Sequence, residues 1–367
     1  MVDQRGVRDH SALAHRTRGG AADADLLDAR AMPSRPLLVV DLDPATAAPT
    51  AADLEQAVRR ARASDRLLVG RTRRQVPPCP ETLLNALDLT LVRAPGDRLC
   101  ATDAAGRPAT VAVTDPAAEA EFLRARAAEQ PQAALVLRQA LVTAGRLPVP
   151  QALDLESLAY STLLGGAGFA GWLAARGPRP APPRATGDPV LAYREGGLLR
   201  ITLNRPERRN AHGAELRDAL AAALDIAVWD ETVREVVLDG NGPCFSSGGD
   251  LDEFGAAGDL PTAHLIRTRA GAAPRLHALG GRLTARIHGT CVGAGVELPA
   301  FATRVLAAPG TTVRLPELSM GLIPGAGGTV GIPHRIGRGR TLYLALDGRP
   351  VPAERALAWG LVDRIEE

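Results

Sequence analysis

The sequence predicts an α/β layered fold, and three observations carry that expectation. Short apolar runs of strand length alternate with stretches of helical periodicity, and glycine-rich turns repeatedly join the two. The composition is that of an ordinary globular protein, 46 % hydrophobic and 23 % charged. At 367 residues the chain exceeds what one hydrophobic core usually serves, so two packed units are expected. The 43 basic residues, all Arg, nearly balance the 41 acidic ones, leaving +2 and no electrostatic case for a nucleic-acid or anionic-membrane partner.

In chain order, residues 1–33 mix charge, Ala and Gly without sustained periodicity and read as a mobile tail. Residues 34–180 read as a first folded unit. Leu37 to Leu42 is a strand, and Ala52 to Ala63 a helix with Leu54, Ala57, Val58 and Ala61 on one face. Leu67 to Val69, Leu87 to Val92 and Thr110 to Val113 are further strands. A long helical region runs from Ala117 to about Leu147, and a second starts near Pro150 with Leu155, Leu158, Ala159 and Leu163 at helical spacing. The uncharged run Ser157 to Ala175 is broken by Gly165 and Gly166, which favours two short helices over a membrane span. Residues 181–189 are a Pro-rich linker, because proline removes donors and fixes φ. Residues 190–367 form the second unit. Val190 to Tyr193 and Leu198 to Leu203 flank Glu195-Gly196-Gly197 as a hairpin. Leu216, Leu220, Leu224 and Val228 mark an amphipathic helix, Val236 to Leu238 a buried strand, and Ala263 to Leu279 another helix.

Cys79, Cys100, Cys244 and Cys291 are too widely spaced for a C-x-x-C pair and too few for a disulfide scaffold. Charged residues near the N-terminus leave no secretory signal pattern, so a cytoplasmic protein is expected. The seven histidines show no H-x-x-x-H spacing, and no metal is expected. His212 and His288 lie beside motif residues, where core or surface roles are expected of them.

Three segments of the second unit combine Gly turns with carboxylates or helix starts. Asp239-Gly-Asn-Gly-Pro-Cys-Phe-Ser-Ser-Gly-Gly-Asp250 follows a strand; its amides suit an oxyanion or phosphate, or its glycines serve a tight turn alone. In Ile287-His-Gly-Thr-Cys-Val-Gly-Ala-Gly-Val-Glu-Leu298, Glu297 sits on the first turn of an apolar helix, where it complements the dipole or does chemistry. In the third, Glu317 ends an extended segment ahead of Ile323-Pro-Gly-Ala-Gly-Gly328, a poor match to a dinucleotide fingerprint.

From Val190 to Asp363 this order resembles the crotonase (enoyl-CoA hydratase/isomerase) superfamily. The resemblance rests on Leu203-Asn-Arg-Pro-Glu-Arg-Arg-Asn-Ala211, Phe245-Ser-Ser-Gly-Gly-Asp250, Val292-Gly-Ala-Gly-Val-Glu-Leu298, Leu315-Pro-Glu317 through Gly328, and Ala358-Trp-Gly-Leu-Val-Asp363. It implies a ββα spiral that binds an acyl-CoA thioester. The Gly249 and Ala294 amides would grip the thioester oxygen, Glu297 would take a proton from water and Glu317 would deliver one, while the Gly325 amide orients the water. It further implies substrate contacts at Asn210, Ala211, Ser247, Asp250 and Leu251, no cofactor beyond the substrate's coenzyme A, and a homo-oligomer, trimer or hexamer. The expected reaction is hydration of an enoyl-CoA or its reverse, a lyase reaction. Isomerisation, decarboxylation, thioester hydrolysis, dioxygenation or plain acyl-CoA binding are the alternatives.

Some positions depart from the family's usual pattern. Ala294 replaces the commoner Gly, and Asp252 stands where many relatives carry Lys, leaving Arg205, Arg208 and Arg209 as phosphate partners or as solvated loop charges. Ser246 and Ser247 are expected to bond the turn's backbone. The usual C-terminal helices do not follow Asp363, and residues 133–179 resemble them instead. Residues 34–180 are therefore expected to be a degenerate, helix-rich crotonase-like unit whose helices complete the second.

Overall fold

The computed structural model describes residues 7–9, 26–43, 50–93, 110–177 and 187–366. Cys100, most of the expected tail and most of the Pro-rich linker lie outside the described residues. The chain forms two compact units, Met1–Gln139 with Ile336–Asp347, and Ala140–Arg335 with Gly348–Glu367.

In the first unit, β1 (Val7–Asp9), β2 (Leu37–Asp41), β3 (Leu67–Thr72), β4 (Leu89–Arg93) and β5 (Thr110–Val113) make one sheet in chain order. Every pairing is parallel, and β1 arises within the expected tail by pairing Val7 with Val39. The runs Leu37–Val40, Leu67–Gly70 and Thr110–Val113 are buried at every position, as parallel strands covered on both faces must be. Helix Ala51–Arg62 starts at a capping box, Thr50 with Asp53, and turns Ala57 and Ala61 into the core beside Leu38, Val40 and Leu68. The long helix expected from Ala117 is instead two, Pro116–Glu129 and Pro131–Ala144. Pro131 cannot donate to a preceding turn and begins a new helix.

In the second unit, the hairpin of β6 (Val190–Glu195) and β7 (Leu198–Leu203) is antiparallel as expected. It leads into parallel pairings with β8 (Glu235–Gly240), β9 (Leu283–Ile287), β11 (Arg304–Ala307) and β14 (Arg364–Ile365). A smaller sheet joins β10 (Thr290–Val292), β12 (Thr312–Arg314) and β13 (Val351–Pro352). Because β9 pairs with β11 while β10 pairs with β12, two successive strand pairs stack in the same order. That is a ββα spiral advancing by one turn.

The division between units falls at Gln139 and Ala140, not at the expected linker. Helix Val149–Leu164 packs on Leu260–Leu265 and Ala273–Leu279, and helix Ala167–Arg176 packs on Glu317–Met320, so both belong to the second unit. Among the described residues no single helix is long and apolar enough to cross a membrane, and these two are bent by 62° at their break. The periodic face Leu155, Leu158, Ala159 and Leu163 is only partly buried. Leu158 is 53 % exposed, while Ala152, Leu153, Glu156, Ser157, Ser161 and Leu163 are buried. The expected helix Ala263 to Leu279 is also interrupted: Leu260–Leu265 passes into a π-helical turn, Ile266–Ala270, and Ala273–Leu279 follows Gly271.

Candidate active site

After β8 the chain turns back through residues 241–250, and Asn210 holds that turn. Wholly buried, its Nδ2 reaches the carbonyls of Asn241 (2.9 Å), Cys244 (3.2 Å) and Phe245 (2.9 Å), and its Oδ1 accepts from the Arg205 amide (2.7 Å). Ser246 Oγ donates to the Asn210 carbonyl (2.7 Å) and accepts from the Gly248 amide (3.2 Å), the backbone role expected of it. Gly248 has φ +91°, and a Cβ there would stand 2.7 Å from the Val292 carbonyl oxygen, so only glycine lets the turn meet the end of β10. The His212 amide donates to the Gly248 carbonyl (2.7 Å) and the Asp250 amide to the His212 carbonyl (3.4 Å). This parallel bridge aims the intervening Gly249 amide the other way, into a cavity, with no acceptor among the described residues. The Ala294 amide opens helix Ala294–Glu297, lacks an acceptor for the same reason as any first helical amide, and lines the same cavity.

The two glutamates line the same cavity. The Gly293 amide donates to the Arg314 carbonyl (2.9 Å), which ties the start of the Glu297 helix to the strand leading to Glu317. Gly293 has φ +49°, and a Cβ there would meet Glu317 Oε1 at 2.5 Å and Glu297 Oε1 at 3.8 Å. Both carboxyls therefore lean over one glycine, beside the Ala294 amide. Glu297 is buried, and its Oε2 accepts from the amides of Ala326 (2.7 Å) and Gly328 (2.9 Å). Glu317 Oε2 is enclosed and has no partner.

The alternate amides of the same loop turn to a third carboxylate. Glu156, on helix Val149–Leu164, accepts from the Gly327 amide at Oε1 (2.7 Å), and at Oε2 from the Thr329 amide (2.7 Å) and hydroxyl (2.6 Å). The glycine turn and the first residues of helix Gly328–Ile336 thus grip Glu297 with residues 326 and 328, and Glu156 with residues 327 and 329. Burial pushes Glu156 up to about 7 against these hydrogen bonds, and pushes Glu317 up to about 7 with help from the Glu156 charge. Glu297 is raised well above the usual carboxylate range by burial, then by repulsion from Glu317 and Glu156. Three carboxyls this close cannot all ionise at neutral pH.

The cavity is closed by Leu153, Tyr160, Phe254, Ala272, Pro274 and Leu298, with His212 and Arg267 on its wall. Burial, with Arg217 nearby, holds the His212 pKa down to about 4, so the ring is neutral. The Tyr160 ring packs against Gly325, where a Cβ would meet it at 2.4 Å. Phe254 packs tilted against the stacked pair Phe169 and Trp172, which puts helix Ala167–Arg176 beside the Gly249 turn.

Of the residues singled out in the sequence, Gly249, Ala294, Glu297, Glu317 and Gly325 line this cavity together. Asn210, Ala211, Ser247, Asp250 and Leu251 do not. Asn210 is saturated by backbone groups, and Asp250 is paired with Arg208 at 2.6 Å. The amides holding Glu297 belong to Ala326 and Gly328, not to Gly325. Arg205 is buried against the Gly187 carbonyl and Glu215, and Arg208 is spent on Asp250 and Asp252, so Arg209 is the exposed one of the three. Sequence reasoning missed Glu156, Tyr160 and Arg267; a glutamate and two serines at helical spacing, Glu156, Ser157 and Ser161, were the available signal.

Residues 193–366 match the family described as Enoyl-CoA hydratase/isomerase. The 2,3-dehydroadipyl-CoA hydratase of Escherichia coli strain K12 is 35 % identical over 176 residues, 48 % of this chain and 68 % of its own length. The 1,2-epoxyphenylacetyl-CoA isomerase of the same organism is 35 % identical over 178 residues, 47 % of this chain and 68 % of its own length. The mevalonyl-coenzyme A hydratase of Beauveria bassiana strain ARSEF 2860 is 32 % identical over 191 residues, 50 % of this chain and 68 % of its own length. The chain belongs to the enoyl-CoA hydratase/isomerase family, the crotonase superfamily.

Proposed function

We propose that the second unit adds water across the α,β double bond of an acyl-CoA thioester, or removes it in the reverse direction. The observation that carries this reading is the convergence of Glu297 and Glu317 over Gly293, beside the unengaged amides of Gly249 and Ala294. A thioester oxygen between those amides gains negative charge as an enolate forms, so fixed donors stabilise the transition state more than the bound substrate. Syn addition of water needs one charged and one neutral carboxyl on the same face. Two amide donors favour charge on Glu297, whereas the partnerless Oε2 of Glu317 favours a proton there. Once Glu317 is protonated, its repulsion of Glu297 vanishes, and the pair settles with Glu297 as base and Glu317 as acid. Coenzyme A is part of the substrate, and no step of this route calls on another cofactor.

The first unit's parallel strands run in chain order, as a ββα spiral leaves them, which supports reading it as a degenerate crotonase-like unit. The test of function is incubation of the full chain with crotonyl-CoA and branched or aromatic enoyl-CoA thioesters, followed by mass spectrometry. A 3-hydroxyacyl-CoA product is expected. Isomerised, decarboxylated or hydrolysed products without any hydrated one would overturn the reading.

A further inference from the structure

Apart from Glu317, whose Oε2 is partnerless, the charged side chains of the cavity wall are met by opposite charge or by amide donors. Glu156 has both oxygens occupied, Glu253 accepts from the Ala214 amide (2.8 Å), and Arg217 pairs with Asp218 (2.7 Å). Arg267 is the exception: among the described residues no carboxylate stands within ion-pair distance of its guanidinium. Its Nε donates to Ser157 Oγ (3.0 Å), and its Nη2 donates to the Ser157 carbonyl (3.3 Å) and to Ser161 Oγ. The Tyr160 ring lies beneath, 4.8 Å from the guanidinium carbon. Nη1 finds no protein acceptor among the described residues, and it is not one of the sealed, partnerless atoms.

The backbone that carries Arg267 is itself unusual. Residues 266–270 form a π-helical turn, a rare geometry that is frequent at functional sites. Two serines and an aromatic ring then fix the guanidinium in place. Burial lowers the Arg267 pKa, but from a value so high that the group stays charged. Its counter-charge is Glu156, which acts from a distance because both its oxygens are spent on the Gly327 and Thr329 donors, so no carboxylate bonds the guanidinium directly.

We propose that the acyl cavity selects enoyl-CoA thioesters whose acyl chain ends in a second carboxylate, with Arg267 receiving it. This deepens the hydratase reading and rests on the thioester entering the same cavity. With Nε and Nη2 spent on Ser157 and Ser161, Nη1 is the nitrogen left to donate a charge-assisted hydrogen bond to a carboxylate. Arg267 is then a specificity-determining residue of the cavity wall.

The experiment compares hex-2-enedioyl-CoA with hex-2-enoyl-CoA, which differ only in a terminal carboxylate against a methyl group. Hydration by the full chain is measured for the wild type, Arg267→Met and Arg267→Lys, with calorimetric binding of both thioesters as a readout independent of turnover. The wild type is expected to favour the diacid in kcat/KM on the order of tenfold or more. Arg267→Met brings the ratio near one, and Arg267→Lys keeps part of it. Equal use of both thioesters by the wild type, or a ratio unchanged in Arg267→Met, overturns the proposal. Should Arg267→Met fail to fold by circular dichroism, the wild-type and Arg267→Lys ratios decide alone. Tighter binding of the diacid without hydration of either thioester sustains this inference while sinking the hydratase reading.

Discussion

Two walls of one cleft differ in how they are built. On one, Gly249, Ala294, Glu297 and Glu317 each sit at a joint between a strand and a helix or turn, where glycine torsions aim amides and carboxyls inward. On the other, Leu153, Glu156, Ser157 and Tyr160 share one face of helix Val149–Leu164 and reach the cleft by helical spacing alone. In the proposed reaction the first wall carries the reacting groups. The second holds the loop behind them and presents Arg267, so chemistry and substrate selection are assigned to different architectures.

That contrast breaks first at the carboxyl pair. Glu297→Gln and Glu317→Gln are each expected to lower kcat for hydration by about 10²–10⁴-fold. The double variant should lose little more than the worse single one, because the two act on one water. Gly293→Ala should follow, since its methyl would meet Glu317 Oε1 at 2.5 Å and φ is +49°. A loss of roughly 10²-fold in kcat is expected from displacing the acid.

The second wall answers more weakly. Glu156→Gln puts an amide NH₂ where three donors converge, and should cost about 1–3 kcal/mol in chemical denaturation. It should also displace the Ala326 and Gly328 amides and so shift the pH profile of kcat. An unchanged profile alongside lost stability would mark Glu156 as structural only.

The pH dependence of stability connects the walls. Glu317 and Glu156 ordinarily titrate near 4.5, and folding raises both to about 7. The folded state binds these protons more tightly, so the stability they contribute is complete below about 4.5 and lost as pH rises through about 7. Melting temperature should fall between pH 5 and 8 on their account, and Glu156→Gln or Glu317→Gln should each flatten that slope. The smallest effect is expected at the rim. Arg208→Ala removes partly exposed pairs with Asp250 and Asp252 and should change stability by about 1 kcal/mol or less.

How far the sequence reveals each wall follows from the same contrast. Strand runs such as Thr110 to Val113 and the Glu195-Gly196-Gly197 hairpin are legible because local torsion and periodicity decide them. Glu297 and Glu317 are legible because glycine turns announce the joints they occupy. Glu156 is not: a glutamate on a helix is nearly always a solvated one, and only long-range donors at Gly327 and Thr329 make its burial tolerable. Leu158 misleads for the complementary reason, because helical period alone cannot say which face a distant loop will cover. Pro131 splits a helix that periodicity alone extends, and the π turn at Arg267 leaves no mark in the apolar pattern.

The most direct measurement is a crystal structure of the full chain with a bound, unreactive enoyl-CoA analogue. The account predicts the thioester oxygen within hydrogen-bond distance of both the Gly249 and Ala294 amides, with Glu297 and Glu317 on one face of the acyl chain. A thioester bound elsewhere, or one whose oxygen meets neither amide, would contradict it.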